Sequence, residues 1–215
     1  GYRKEQVADK LAQSLGWDEE RTQRFLSLGE TIQTPYDLLE GFYFPDTYLI
    51  PTDEDGEKVL KRFINRFNEQ FDPLYEELRA QNIKYDTAVR LASIIQREAA
   101  GKADMPLIAG VLWNRLLIDM KLEVDATLQY MRGDEGDGWW APIDVAIKKT
   151  DSPYNTYKYE GLPPGPISNP GLDALKAVLA PEETDCLFYL HAPDRSIHCS
   201  VTYEGHLENI ETHLR

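Results

Sequence analysis

The chain has 215 residues, of which 42% are hydrophobic and 28% charged, and its formal net charge is −14. This composition is typical of a folded protein with a sizeable core, and it excludes a disordered chain or a miniprotein held together by disulfides. Because such an acidic surface repels phosphates and anionic lipids, we predict no nucleic-acid partner. The longest apolar stretch, residues 107–113, is far shorter than the roughly 20 residues that cross a bilayer.

The first fifty residues predict a small α/β unit. A helical repeat of apolar residues ends at Gly16, and a second helix is predicted to end at Gly29. A linker containing Pro35 follows, and the aromatic residues of segment 40–50 favour a strand. The acidic, glycine-containing residues 53–56 then mark the predicted domain boundary.

Helices are predicted to dominate the middle of the chain. Residues 59–71 repeat apolar side chains with helical spacing, and residues 74–80 begin another helix. A third helix runs from its predicted cap at Asp86 to Gly101. A fourth begins at Pro106, because proline is favoured in the first turn, and extends to Met120.

Glu98 occupies an unusual position for a surface charge. It follows Ile94 by four residues and therefore falls on the apolar side of its predicted helix. The predicted solvent side carries Arg90, Ser93 and Arg97. An apolar setting and the adjacent helix C-terminus both disfavour a carboxylate, so they should raise the pKa of Glu98 as a general acid requires. The alternative is a structural Glu held by a buried Arg or a backbone amide.

The C-terminal third alternates short elements with loops. Residues 161–171 contain too many prolines for a helix or a sheet, and they predict a stiff, extended wall. The remaining expectations are a short mixed segment at 121–131, an acidic loop at 133–138, a helix at 172–179, a hairpin containing both cysteines, and a closing helix at 204–214.

Both cysteines are predicted to be free thiols. A turn centred near Asp194 places Cys199 opposite Leu190 in the hairpin. Cys186 would then lie four residues, or about 13 Å, further along the strand. That separation exceeds what a disulfide tolerates.

No metal or cofactor is predicted. The acidic loop lacks the ligand spacing of an EF-hand, and the four histidines form neither an HExxH pair nor a zinc-finger pattern. GxSxG, Walker and GxGxxG motifs are also missing from the sequence. These absences argue against a serine hydrolase of that type, a P-loop nucleotidase and a dinucleotide-binding enzyme.

Six motifs occur in a fixed order along nearly the whole chain. They are Glu40-Gly-Phe-Tyr-Phe-Pro-Asp-Thr-Tyr48, Ala92-Ser-Ile-Ile-Gln-Arg-Glu98, Trp113-Asn-Arg-Leu116, Leu122-Glu-Val-Asp-Ala-Thr127, Tyr154-Asn-Thr-Tyr157, and Gly161-Leu-Pro-Pro-Gly-Pro-Ile167 with Asn169-Pro-Gly171. In this order they resemble the MltG family, also called YceG-like endolytic murein transglycosylases.

The resemblance implies an α+β fold in two parts. Residues 1–52 would be a LysM-like α/β module that lacks its opening strand, and residues 53–215 would be a mainly helical catalytic domain with a small β-hairpin. It further implies a single membrane anchor N-terminal to this chain and a location on the outer face of the bacterial cytoplasmic membrane. The implied partners are peptidoglycan glycan strands and peptidoglycan synthases, the penicillin-binding proteins.

The resemblance also implies a lyase reaction. Glu98 matches the essential acid of the family, while Gln96 stands where the family often has a second Glu. The bond between MurNAc and GlcNAc of nascent strands would be cleaved to leave 1,6-anhydroMurNAc ends, which terminates or releases the strand. The candidate substrate-binding residues are Tyr154, Asn155, Thr156, Tyr157, Asp125, Thr127, Pro163 and Pro164.

Several alternatives remain open from the sequence. Asp125 could simply cap a helix that begins at Ala126. The protein could be a noncatalytic glycan-binding scaffold, or a lysozyme-like hydrolase that uses Asp125 or Asp46 as a second carboxylate. Because peptidoglycan peptides carry carboxylates, we also predict that the binding groove is locally neutral or basic despite the acidic chain.

Overall fold

The computed structural model describes residues 1–31 and 39–214, so the predicted linker containing Pro35 lies outside the described residues. Within those ranges the chain forms eight α-helices and one two-stranded antiparallel sheet, consistent with the predicted α+β class. It divides into two compact units. The first comprises Gly1–Gln96 and Gly165–Leu175, and the second comprises Arg97–Pro164 and the chain from Lys176 onward. The predicted boundary at residue 52 stays a prediction. No helix in the described ranges is both long and apolar enough to span a bilayer.

Three helices lie wholly in the first unit: α1 (Lys4–Leu15), α2 (Glu19–Thr31) and α3 (Gly56–Ala80). The first helix ends at Gly16 as predicted, and this glycine adopts the left-handed conformation with φ of 67°. The prediction that Gly29 ends α2 is wrong, because a glycine weakens a helix without forbidding it.

The two helices predicted for residues 59–71 and 74–80 are one continuous helix, α3, with Pro73 inside it. Proline removes one backbone hydrogen bond and usually kinks or breaks a helix. Here the apolar face is buried on both sides of the proline, at Phe67 and Phe71 before it and at Leu74 and Leu78 after it. This continuous buried face offsets the local loss.

The strand predicted for residues 40–50 is wrong. That segment turns at Gly41, whose φ is 94°, and forms no ladder. Its backbone is instead bonded to one buried side chain, since Asn169 Oδ1 accepts hydrogen bonds from the amides of Gly41 and Tyr43 at 2.8 and 2.9 Å. Asn169 Nδ2 donates to Glu40 Oε1 at 2.7 Å, and the same carboxyl group accepts from the Lys4 amide at the start of α1.

The remaining elements form or enter the second unit. Helix α4 (Tyr85–Glu98) enters it at its C-terminus and α7 (Leu172–Leu179) enters it part-way along. The other elements are α5 (Met105–Leu117), α6 (Asp125–Arg132), β1 (Phe188–His191), β2 (Ile197–Ser200) and α8 (Tyr203–His213). Helix α6 lies in the segment predicted as mixed and begins one residue before the helix considered from Ala126. Residues 161–171 form neither helix nor strand, as predicted.

The prediction of two free cysteines is wrong. The hairpin itself is confirmed, but its register pairs Tyr189 rather than Leu190 with Cys199. Because β1 begins only at Phe188, Cys186 lies outside the ladder instead of further along a straight strand. Its Cα is 5.9 Å from that of Cys199, and the two residues form a disulfide.

Removing this disulfide should destabilise the second unit. The two cysteines are 13 residues apart, and a disulfide that closes a loop of that size raises the free energy of unfolding by about 3 kcal/mol. Removing the disulfide should lower that free energy by the same amount. We therefore expect the double variant Cys186→Ser, Cys199→Ser to melt at a lower temperature than the oxidised protein. Calorimetry with and without reductant measures this difference. A reductant that lowers the melting temperature of the double variant equally would contradict the assignment.

Candidate active site

Glu98 is the last residue of α4 and is half-buried. Its Oε2 accepts a hydrogen bond from Tyr189 Oη at 2.7 Å. Burial raises the pKa of Glu98 above its ordinary value, and the negative charge of Asp125 adds to the effect. The Tyr189 hydroxyl and the Ala126 amide oppose this rise without cancelling it. The direction of this pKa shift agrees with the expectation from the sequence.

The predicted faces of α4 need one correction. Ser93 was placed on the solvent side, yet it is fully buried. Its Oγ donates to the Arg90 carbonyl at 2.6 Å and accepts from the Ile167 amide at 3.0 Å. Asp86 does not cap the helix but lies in its first turn, where it pairs with Arg90. A serine can satisfy its hydroxyl inside a core, so its polarity alone does not indicate solvent.

Glu98 opens into a cleft of 630 Å³ in the second unit. The cleft is lined by polar groups and aromatic rings from seven regions of the chain. These residues are Glu98, Arg115, Leu122, Glu123, Asp125, Lys148, Tyr157, Phe188, Tyr189, Tyr203 and His206. Once Glu98 is protonated, the two cations and the two remaining carboxylates balance, which agrees with the predicted neutral or basic groove.

Asp125 anchors a polar cluster in this cleft. Its Oδ1 accepts a hydrogen bond from Tyr157 Oη at 2.6 Å and lies 3.6 Å from Lys148 Nζ. The same ammonium group stands 4.0 Å from the centre of the Tyr157 ring. The alternative in which Asp125 caps a helix is wrong, because Asp125 is the first helical residue and Val124 occupies the cap position.

Three of the predicted site residues are buried, lie outside the cleft lining and bond to the backbone near it. Thr127 and Thr156 are buried, with their hydroxyl oxygens 2.9 Å apart, and Thr156 Oγ1 also accepts from the Val124 amide at 3.0 Å. Asn155, buried as well, donates to the carbonyls of Lys148 and Thr150. These bonds fix the backbone that carries Asp125, Lys148 and Tyr157.

The other predicted binding residues lie outside the cleft lining. Tyr154 packs against Tyr130, with ring centres 5.1 Å apart. Pro163 is buried and Pro164 is exposed. The structure therefore brings Glu98, Asp125 and Tyr157 together, while a substrate contact by the remaining predicted residues stays a prediction.

Aromatic side chains form the other part of the cleft. The Phe188 ring lies 5.8 Å from that of Tyr203 and 5.5 Å from that of His206. Tyr203 is 56% exposed although it stands beside these rings. Burial lowers the pKa of His206, and the nearby Arg115 charge acts in the same direction. The three rings together give this part of the cleft an aromatic surface.

The motif at residues 113–115 explains how the hairpin is held beside α5. Trp113 Nε1 donates to the Val178 carbonyl, and Asn114 Nδ2 donates to the Thr184 and Cys186 carbonyls. Arg115 Nε donates to the Leu187 carbonyl at 2.6 Å. Gly110 allows the same close approach, because a Cβ there would meet the Glu182 carbonyl oxygen at 2.3 Å.

Eight cleft residues were not predicted as site residues: Arg115, Leu122, Glu123, Lys148, Phe188, Tyr189, Tyr203 and His206. Arg115 could have been identified from its position in the sequence. Arg115 follows Leu112 by three residues and Ile108 by seven, so it lies on an apolar helix face, as Glu98 does. Tyr189 carried none, since 91 residues separate it from Glu98 and no spacing rule connects them.

A cavity in the first unit is a weaker candidate for the active site. A cavity of 440 Å³ lies in the first unit, lined mainly by apolar residues and by one carboxylate, Asp46. That carboxylate accepts from the Thr47 amide and pairs with Arg66 Nε at 2.6 Å, contacts that lower its pKa. A group held in its charged form cannot serve as a general acid near neutral pH.

Comparison with known proteins finds relatives of this chain that are similar in sequence. Its sequence is 32% identical over 178 residues to an endolytic murein transglycosylase of Streptococcus pneumoniae serotype 2, covering 82% of this chain and 32% of the relative. An endolytic murein transglycosylase of Bacillus subtilis is 34% identical over 177 residues, covering 82% and 48%. The chain thus spans about a third to a half of the length of these relatives.

A solved structure shows the same fold. The crystal structure of a yceG-like protein from Listeria monocytogenes superposes with a TM-score of 0.83 at 29% sequence identity, covering 96% of this chain and 73% of that one. The sequence profile of the YceG-like family matches residues 1–212. The six ordered motifs, the shared fold and this match agree, and the chain belongs to the YceG-like family.

Proposed function

We propose that this chain carries the catalytic site of an endolytic peptidoglycan lytic transglycosylase, with Glu98 as its single acid and base. The observation that carries the proposal is a half-buried carboxyl group with a raised pKa that opens into a polar and aromatic cleft. The names of the pneumococcal and Bacillus relatives support the same activity.

The proposed reaction needs one carboxyl group and no water. Glu98 donates its proton to the glycosidic oxygen between MurNAc and GlcNAc as the bond from that oxygen to C1 of MurNAc breaks. The Glu98 carboxylate then takes the proton of the MurNAc C6 hydroxyl, whose oxygen forms a new bond to C1. The products are a free GlcNAc hydroxyl and a 1,6-anhydroMurNAc end, and Glu98 regains its proton.

The main rival is a lysozyme-like hydrolase. It needs a second carboxylate as nucleophile or base, and Asp125 is the candidate within the cleft. Asp125 Oδ1 already accepts a hydrogen bond from Tyr157 and lies near Lys148. These contacts favour a structural or substrate-binding role for Asp125 over a role as nucleophile or base. Mass spectrometry of digested glycan strands distinguishes the two reactions, because anhydro ends are lighter by one water than hydrolysed ends. Reducing ends as the sole products would overturn the lyase proposal.

A noncatalytic scaffold is less well supported. A protein that only binds glycan has no need for a carboxyl group whose pKa is raised in the binding cleft. The release of soluble muropeptides from strands incubated with the chain separates the two functions.

We propose that the aromatic part of the cleft binds a sugar ring, since the apolar face of a pyranose stacks on aromatic side chains. Tyr203→Ala is expected to weaken glycan binding roughly 3- to 10-fold, the effect of losing one aromatic contact, while kcat is largely kept. Tyr203→Phe, which retains the ring, should bind normally. Calorimetric titration with a glycan oligomer measures both variants.

Tyr75→Ala is the matched control, because Tyr75 is a 46% exposed tyrosine on α3 in the first unit. It should leave affinity unchanged. Equal weakening by Tyr75→Ala and Tyr203→Ala would contradict the assignment of the aromatic surface. The same proposal retains Tyr154, Asn155, Thr156, Thr127, Pro163 and Pro164 as residues that shape substrate binding.

The setting of the enzyme belongs to the same proposal. We place it on the outer face of the bacterial cytoplasmic membrane, held by a single-pass anchor, where it would end growing strands beside penicillin-binding proteins. Peptidoglycan lies on that side, and the Cys186–Cys199 disulfide is typical of oxidising compartments. We further propose that residues 1–52 form a LysM-like module, supported by the packing of α1 against α2.

A further inference from the structure

We propose that Tyr189 is the positioning residue for Glu98: its hydroxyl fixes which carboxyl oxygen carries the catalytic proton and stabilises the carboxylate left when that proton departs. This inference rests on the proposed function of Glu98 as acid and base. It assigns a role to a residue that lies outside the six sequence motifs.

The geometry defines the first part of this role. Tyr189 Oη donates to Glu98 Oε2 at 2.7 Å. An oxygen that accepts this hydrogen bond is disfavoured as the site of the acid proton, so the Tyr189 contact favours Oε1 as that site. The Ala126 amide also bonds to this carboxyl group, and it is unchanged in a Tyr189 variant. The hydrogen bond therefore presents one oxygen of Glu98 to the substrate as donor and reserves the other for the tyrosine.

The state of the tyrosine supports the second part. Burial and the Glu98 charge raise the pKa of Tyr189 well above its ordinary value, so the phenol stays protonated and remains a donor. As Glu98 loses its proton, the contact becomes a charge-assisted hydrogen bond, which is about twice as strong as a neutral one. The stabilisation therefore grows along the reaction, as transition-state stabilisation requires.

The hairpin holds Tyr189 in place on both sides. Tyr189 pairs with Cys199 across the two strands, and the disulfide joins Cys199 to Cys186, three residues before Tyr189. The Leu187 amide also donates to the Ser200 carbonyl at 2.9 Å. A side chain on a doubly fixed strand is better placed to orient a catalytic group than one on a loop.

Other charged groups also act on this pair. Asp125 raises the pKa of Glu98 and His191 lowers it. The charge of Arg97 also interacts with the Glu98 carboxyl group. Arg115 and Tyr157 act on Tyr189. All of these groups remain in a variant that lacks only the Tyr189 hydroxyl, so a change in that variant reports the hydroxyl itself.

The test compares Tyr189→Phe with Tyr159→Phe. Tyr159 also donates its hydroxyl to a carboxylate, that of Asp151, but it is exposed and lies outside the cleft. We expect Tyr189→Phe to lower kcat roughly 10- to 100-fold, the range for a lost hydrogen bond to a charged group. Because the lost bond favoured the carboxylate, the alkaline limb of the pH profile should move to higher pH. Tyr159→Phe should show neither effect.

A second measurement does not depend on turnover. Carbon-13 NMR titration of the Glu98 carboxyl group should give a higher pKa in Tyr189→Phe than in the wild-type chain. An unchanged Glu98 titration, or a fall in kcat without movement of the alkaline limb, would overturn the positioning role. A wild-type chain that yields no anhydro ends would reject the proposed function separately, and the NMR result would still decide the Tyr189 contact.

Discussion

Glu98→Gln is expected to abolish glycan cleavage while leaving the fold and glycan binding intact. Glutamine keeps the shape of the side chain and can still accept the hydrogen bond of Tyr189, but it can neither give nor take a proton. Cleavage should fall by at least the roughly 10²- to 10⁴-fold that general acid–base catalysis contributes. The release of anhydro-muropeptides and the affinity for glycan are measured on the same preparation.

The stability of the Glu98→Gln variant distinguishes a catalytic acid from a structural one. The pKa of Glu98 is raised in the folded chain, so its favourable contribution is complete below the unfolded value and is lost as pH rises through the folded value. The melting temperature of Glu98→Gln relative to wild type should therefore increase with pH. A structural Glu held by a buried Arg would instead lose several kcal/mol on neutralisation and leave activity in the folded fraction.

Glu135→Gln is the matched control for this change. Glu135 lies exposed in the acidic loop at 133–138, outside the cleft lining. It undergoes the same substitution outside the cleft, so it should cleave glycan at the wild-type rate. Retained cleavage in Glu98→Gln would reject the mechanism, because glutamine cannot serve as the single acid and base of the reaction.

The sequence predicted helices well, because a helix depends on residues that are close together in the chain. The spacing of apolar residues identified α1 and placed Glu98 on a buried face, because helical periodicity is a property of consecutive residues. Segment 40–50 could not be predicted in this way. Its aromatic residues favour a strand, but the side chain of Asn169, far along the chain, supplies the hydrogen-bond partners that a neighbouring strand would have provided.

The candidate site shows the same division. Glu98 and the loop around Tyr157 were identified from motifs, whereas Tyr189 and Phe188 depend on how the hairpin packs against α5. The disulfide was missed for a related reason. A one-residue error in register and the assumption of a straight strand moved Cys186 beyond the reach of Cys199.

Arg115→Met is expected both to destabilise the second unit and to lower the cleavage rate. The Arg115 guanidinium donates to the carbonyls of Leu187, Lys121 and Leu122, at 2.6, 3.0 and 2.8 Å, and the residue is only 7% exposed. Methionine fills similar space without donors, so buried carbonyls lose their partners at a cost of about 1–3 kcal/mol each. We expect the free energy of unfolding to fall by about 3–5 kcal/mol.

The effect on activity should exceed the loss of folded protein. Leu187 directly precedes the strand that carries Phe188 and Tyr189, and the Arg115 guanidinium lies 5.0 Å from the Phe188 ring. Without this cation, the Leu187 carbonyl loses its bond to α5, so the strand that follows holds Tyr189 less firmly beside Glu98. Chemical denaturation gives the folded fraction, and the cleavage rate per folded molecule should fall roughly tenfold or more, as expected when reacting groups are misplaced.

Arg132→Met separates these two effects. Arg132 also donates to three backbone carbonyls, those of Gly133, Gly138 and Pro142, but two of these bonds are long at 3.3 Å and the residue lies outside the cleft lining. This variant should lose less stability and keep its cleavage rate per folded molecule. If Arg115→Met also kept that rate, the arginine would stabilise the fold without shaping the site, and the position of Tyr189 would have to depend on the hairpin and its disulfide alone.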